Sequence, residues 1–318
     1  MNSCFVCPLY MKERDYNYAL QMCESKIECN IKTPIYFVFS YKTHEEHFKK
    51  LFFDKFGYEL KETILVPEEY LKYKCQVTTK KLYAIHILQD QFKYIATIDC
   101  ECKFVREKNV DEVFEDIWNK KSFMKCNRSY LLQHLLKNCV ENLELENKEK
   151  IRKETDNYVY NCWFNEIPVY NTQYTHQFFQ WFDTKKDAIL DNYFMVDYYV
   201  YLLYLLDKSI LKISKMNYWA PLGIMEEVAY THKNHAMEIE SEIGTHWTSN
   251  PDYSNPEILM QFHLDHKPSV PEIKDFIGYS KYKYVVWKLV PNNKVIQFWL
   301  ERVADKIWKT EYYKKYRW

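Results

Sequence analysis

The 318-residue chain carries 44 basic and 44 acidic residues, so no global field attracts nucleic acid or an anionic membrane; such a partner would need a local patch. Its 47% hydrophobic and 28% charged content is that of a globular protein, long enough to bury a substantial core in one large or two small domains. Only four glycines are present, which excludes the glycine-rich dinucleotide fingerprint and the P-loop, since each needs several glycines in one turn.

The ten cysteines all lie at or before Cys162. Cys4 and Cys7 sit in a strand-like run without a matching second pair, so free thiols in a reducing compartment are expected rather than a zinc site. No basic segment precedes an apolar stretch at the N-terminus, and a cytoplasmic location is expected. The longest apolar run, Tyr193 to Leu206, is too short to span a bilayer and contains Asp197.

In chain order, Phe5 to Leu9 reads as a strand and Asp15 to Cys23 as a helix. Ile35 to Phe39 is a second strand, ending at Ser40. Thr43-His-Glu-Glu46 has the pattern of a capping box for a helix that carries Phe48, Leu51, Phe52 and Phe56. Thr63 to Val66 is a third strand, closed by Pro67. Thr79-Lys80-Lys81 leads into Leu82, Ile85 and Leu88, an amphipathic helix. The run Phe92 to Ile98 is then a buried central strand followed at once by Asp99-Cys100-Glu101. Strands alternating with helices predict βαβ units and a parallel sheet.

Asp99 and Glu101 are two apart, so in an extended chain their side chains share a face. Two carboxylates so placed repel unless a cation lies between them, and oxygen ligands favour Mg²⁺ or Mn²⁺. The alternative is a strand that simply ends in solvent. Ligands of open parallel sheets bind beyond the carboxyl ends of the strands, so Asp99, Pro8 to Tyr10, and Ser40 should meet on one edge.

Beyond Glu101, Val110 to Trp118 and Tyr130 to Leu136 read as helices, and Glu141 to Lys153 as a solvated charged segment. Tyr158 to Phe164 and Ile167 to Tyr170 have β character, and Thr175 to Phe182 reads as an aromatic helix. Tyr193 to Leu206 is apolar all round, the mark of a core helix. Its one charge, Asp197, is either a functional acid or base or a carboxylate that faces out near the helix start. His263, Asp265 and His266 are close enough in sequence to bind metal, although a surface role is the simpler assignment. Tyr282 to Val290 is a late strand and the chain from Val295 is helical. Its end, Trp308 to Trp318, interleaves basic and aromatic residues, a composition that suits either the headgroup level of a membrane or packing on its own domain.

The N-terminal units closing on Asp99-Cys100-Glu101 resemble the GT-A class of nucleotide-sugar-dependent glycosyltransferases, whose acid-x-acid motif this tripeptide looks like. Trp163-Phe164-Asn165-Glu166-Ile167-Pro168-Val169 and Asp197-Tyr198-Tyr199 are similar to segments of bacterial GT-A-like families of capsule and lipooligosaccharide loci. Glu101 departs from the Asp common at the second acidic position. The resemblance implies an α/β fold with a mixed, mostly parallel sheet flanked by helices. Residues 1–105 would form the nucleotide-binding half and residues 106–318 the acceptor-binding, helix-rich remainder of one domain.

It implies further that Asp99 and Glu101 hold Mn²⁺ or Mg²⁺ against the diphosphate of a nucleotide sugar, a UDP-sugar first, with His263 or His266 as a third ligand. Pro8, Leu9 and Tyr10 would hold the base with Ser40 nearby, and Lys81 would reach the diphosphate. Asp197 would be the general base, with Glu166 and Asp191 as fallbacks. The acceptor would be a bacterial surface glycan or lipid-linked glycan at the inner membrane face. A metal-dependent phosphodiesterase or nucleotidyltransferase, or a non-catalytic interaction protein of the same fold, are the competing expectations.

Overall fold

The protein is described by a computed structural model over residues 2–10, 12–119, 122–126, 130–155, 161–163, 167–214, 223–225 and 259–262. The first hundred residues alternate as the sequence predicts: β1 (Ser3–Pro8), α1 (Glu13–Glu28), β2 (Ile35–Phe39), α2 (Lys42–Phe56), β3 (Thr63–Leu65), α3 (Gln76–Leu88) and β4 (Tyr94–Thr97). There follow β5 (Lys103–Phe104), α4 (Val110–Asn119), β6 (Ser122–Cys126), α5 (Tyr130–Asn142), α6 (Lys148–Thr155), β7 (Asn161–Trp163), β8 (Val169–Asn171), α7 (Thr172–Asp183), α8 (Lys186–Leu190) and α9 (Asp197–Asp207). Three short strands complete the described elements: β9 (Lys212–Ser214), β10 (Gly223–Met225) and β11 (Met260–Phe262). The late strand and C-terminal helix expected from the sequence lie outside the described residues.

The central five-stranded sheet has the order β3-β2-β1-β4-β8. β1 pairs parallel with β2 and with β4, and β2 pairs parallel with β3. β8 joins antiparallel to β4, so a strand from beyond residue 105 completes the sheet of the N-terminal half. Every residue of β1 and β4 is buried, as a parallel sheet covered on both faces requires. Phe114 of α4 and Phe104 of β5 meet the Phe5 ring edge-on at 5.6 and 5.5 Å, while Phe48 of α2 packs 5.0 Å from Phe37. Rings at these angles and distances add to the apolar burial that holds the layers together.

Two local expectations change in the structure. The helix α2 begins at Lys42 with Tyr41 as its N-cap and no side-chain cap bond, so Thr43-His-Glu-Glu46 is not a capping box. Glu45 is drawn instead to three donors: Lys42 at 2.9 Å, Lys49 at 2.5 Å and the Thr63 hydroxyl at 2.7 Å, the last tying α2 to β3. The same helix ends on Gly57 at φ 75°, a left-handed cap that only glycine adopts without strain.

The core helix α9 begins at Asp197, four residues later than its apolar run. Tyr193 is 69% exposed, whereas all eleven residues of α9 are buried. No helix among the described residues is long and apolar enough to cross a membrane.

Candidate active site

The order of the central sheet reverses at β1: the chain fills β2 and β3 on one side, then returns through α3 to place β4 on the other. Such a switch point leaves a crevice beyond the carboxyl ends of the two strands. The Leu9 N–H donates to the Val38 carbonyl at 3.0 Å and the Ile98 N–H to that of Val6 at 2.9 Å, so the strand ends stay in register at this edge. Pro8 to Tyr10, Ser40 and Asp99 therefore share one edge of the sheet, as the sequence predicts.

Helix α3 brings two consecutive lysines to that edge. The Lys81 ammonium lies 2.9 Å from Asp99 Oδ1, with the Lys81 side chain 9% exposed and that of Asp99 45% exposed. The interior end of this arrangement is Asp197, fully enclosed, with Oδ2 accepting the Tyr170 hydroxyl at 2.7 Å. Asp197 stands at the first position of α9, where the helix dipole favours a carboxylate. It is therefore not a carboxylate that faces out near the helix start.

The electrostatics are those of one positive charge shared by two acids. Burial pulls the Lys81 pKa down, but Asp99 and Asp197 outweigh it and hold the ammonium above its ordinary value. For Asp197, burial pushes the pKa up, Lys81 and Tyr170 pull it back, and Asp99 pushes again; the balance leaves it raised. Tyr170 is pushed well up by burial and by the neighbouring Asp197 carboxylate, so its hydroxyl stays a donor.

The other lysine, Lys80, is 1% exposed. Its ammonium donates to the Leu9 carbonyl at 2.6 Å and lies 4.2 Å from the centre of the Tyr10 ring. Leu9 itself is buried, and Tyr10 is the residue of this turn that opens outward, at 37% exposure. Ser40 is half-buried at the end of β2, and Asp191 is exposed at the C-cap of α8. Glu166, His263 and His266 lie outside the described residues.

The chain bends at Cys100 and Glu101, so the alternation of an extended strand does not carry past Asp99. Glu101 is half-buried and accepts the Cys100 thiol at 3.3 Å. Asp99 and Glu101 offer the oxygen donors that Mn²⁺ or Mg²⁺ prefers. Among the described residues, however, no cluster of three His, Cys, Asp or Glu side chains is arranged to hold a metal ion. Within the protein, Lys81 supplies one counter-charge to Asp99. Cys7, Cys100 and Cys102 are buried and free, and burial pushes their thiols far up, which makes them inert packing groups.

No protein-family model and no curated protein matches the chain. Solved structures similar to it include the galactosyltransferase LgtC in complex with donor and acceptor sugar analogs, at 10% identity and a TM-score of 0.42, covering 87% of this chain and 94% of that one. Mouse xyloside xylosyltransferase 1 is similar at 11% identity and a TM-score of 0.43, over 85% and 99% of the two chains. The bifunctional WbbM is similar at 9% identity and a TM-score of 0.44, over 82% of this chain and 45% of its own. All three bear glycosyltransferase names.

Sequence reasoning singled out Lys81, Asp99 and Asp197, which the structure brings together, but not Lys80 or the Tyr170 bond to Asp197. A signal for the lysines exists in the helical spacing. Lys81 shares a face with Thr78 and Ile85, and Lys80 with Ala84, all of them buried. Nothing local distinguishes Tyr170 from the other tyrosines of this tyrosine-rich chain.

Proposed function

We propose that the protein is a metal-dependent glycosyltransferase that moves a sugar from a nucleoside diphosphate sugar, a UDP-sugar first, to a hydroxyl of a bacterial surface glycan or lipid-linked glycan. The observation that carries this reading is the Lys81 and Asp99 pair at the switch point of the sheet. A strand that merely ended in solvent would need no enclosed cation turned toward its carboxylate. Burying an ammonium costs several kcal/mol, roughly the penalty for an ion taken out of water, and it is kept where its charge is used.

In this reading Asp99 and Glu101 would hold Mn²⁺ or Mg²⁺, whose charge supports the departing diphosphate. Lys81 adds its own charge to the same group. The residues Pro8 to Tyr10 take the base, with Ser40 beside them. Asp197 is the general base of this reading: burial raises its pKa and the Tyr170 hydroxyl orients its carboxylate. Being enclosed, it takes the proton only once the acceptor hydroxyl displaces the groups that cover it. Asp99 is the open end of the array and Asp197 the enclosed end, so donor phosphate meets Asp99 first. A lipid-linked acceptor fits a location at the inner membrane face, with the basic aromatic tail from Trp308 to Trp318 at the headgroup level.

The test is a thermal-shift screen of UDP, GDP, CDP and ADP, each with Mn²⁺ and with EDTA, on the wild type and Asp99→Ala. Ligand at about 100 times its dissociation constant stabilises the folded state by roughly 2.7 kcal/mol. A metal-dependent shift with one nucleotide that is lost in Asp99→Ala supports the donor site. Absence of a shift with all four nucleotides would refute it.

A further inference from the structure

Lys80 is a cation in the wrong place for a structural peg. Its ammonium is enclosed, and among the described residues no carboxylate pairs with it; the Leu9 carbonyl is its hydrogen-bond partner, at 2.6 Å. Lys81, the next residue, has Asp99 as counter-charge. A methionine would fill the same volume without the cost of removing a charge from water. What distinguishes the position is its place in the fold. The carbonyl that Lys80 holds belongs to the turn leaving β1 at the switch point, and the ring it backs is the outward-opening residue of that turn.

We propose that Lys80 is the positioning residue of the nucleotide-base site, fixing the Leu9 to Tyr10 turn through the Leu9 carbonyl and backing the Tyr10 ring so that its open side receives the base. This rests on the reading that Tyr10 meets the donor nucleotide. Lys80 itself is covered and acts through Leu9 and Tyr10. An ammonium over one face of a tyrosine ring restrains the ring's rotation and carries positive charge close to an arriving anion, while the hydrogen bond restrains the backbone of the turn.

The groups that face Lys80 are Cys7 from β1, Tyr10 from the following turn, Asp15 from α1 and His44 from α2. Burial pushes Cys7 and Tyr10 above their ordinary values and pulls His44 below its own. Lys80 is pulled down by burial to about 8, so it is the one of these shifted groups that changes charge between pH 7 and 9.

The experiment is titration calorimetry of UDP, GDP, CDP and ADP with Mg²⁺ on the wild type, Lys80→Arg and Lys80→Met, at pH 7 and pH 9, with thermal unfolding of each variant as a check on folding. For the nucleotide that binds, Lys80→Met should weaken affinity roughly tenfold at pH 7, the scale of one desolvated cation–π contact, and Lys80→Arg should restore most of it. Wild-type affinity should fall toward that of Lys80→Met at pH 9, while the Lys80→Met value stays level. A merely structural lysine would show no such convergence. Equal affinities of wild type and Lys80→Met, or a parallel fall of both with pH, would overturn the proposal. Should Lys80→Met not fold, a wild-type affinity unchanged from pH 7 to 9 overturns it instead. Failure of the wild type to bind any of the four nucleotides is a different result, which removes the donor-site reading and this proposal with it.

Discussion

Replacing Lys80 with methionine should change how stability responds to pH. In the folded protein burial pulls the Lys80 pKa from 10.5 to about 8. Between those values the unfolded chain binds a proton that the folded chain has released, so this residue makes wild-type stability rise with pH across that window. At about 1.4 kcal/mol per pKa unit, the cost is roughly 3 kcal/mol, fully present below pH 8 and relieved by pH 10.5. The Leu9 hydrogen bond and the Tyr10 ring contact offset part of it, each by about 1 kcal/mol, so at pH 7 the wild type should be about 1 kcal/mol less stable than the variant. The assay is urea unfolding of both proteins at unit steps from pH 7 to 10. Tyrosines and cysteines that also titrate there are common to both and cancel in the difference. The gap should move by about 2–3 kcal/mol in favour of the wild type over that range. Parallel curves would refute the argument, because they would mean that the folded-state ammonium is solvated or paired.

Lys81→Met should destabilise the protein by about 3 kcal/mol, the lower end for breaking a buried ion pair, since Asp99 is partly open while Asp197 is enclosed. Urea unfolding at pH 7 checks this, and a loss below about 1 kcal/mol, the range of exposed pairs, would show that Asp197 does not depend on Lys81. Glu45 predicts an acid-side effect in the same direction, stability rising with pH, but as a stabilisation gained rather than a cost relieved. Burial would raise its pKa, but Lys49, Thr63 and Lys42 together lower it to about 2, so its stabilisation is complete above the ordinary 4.5 and lost as pH falls through 2. Glu45→Gln should therefore cost about 1–2 kcal/mol at pH 6, with the gap to wild type closing toward pH 2 in denaturation curves.

Local pattern was enough for the elements themselves. Ile35 to Phe39 is too short for a helix and too apolar for a loop, and it forms β2 at those bounds. The alternation through Ile98 required parallel crossovers, and with them a shared carboxyl edge for Pro8 to Tyr10, Ser40 and Asp99. Asp197 stood out because a lone charge in an apolar run must be explained.

The tertiary structure decided which partners those residues take. Asp197 meets Tyr170 across 27 positions and Lys80 meets the Leu9 carbonyl across 71, and no periodicity specifies such pairings. Packing also moved the start of α2, because Glu45 gains two lysines and Thr63 in place of a capping bond. It set β8 antiparallel beside β4, which brings Tyr170 to the register position opposite Ile95, next to the strand that ends in Asp99. A sequence fixes backbone preference over a turn or a strand, where the competing energies are local. The burial of a charge is settled only when the elements close around it, since its cost depends on every group that replaces water.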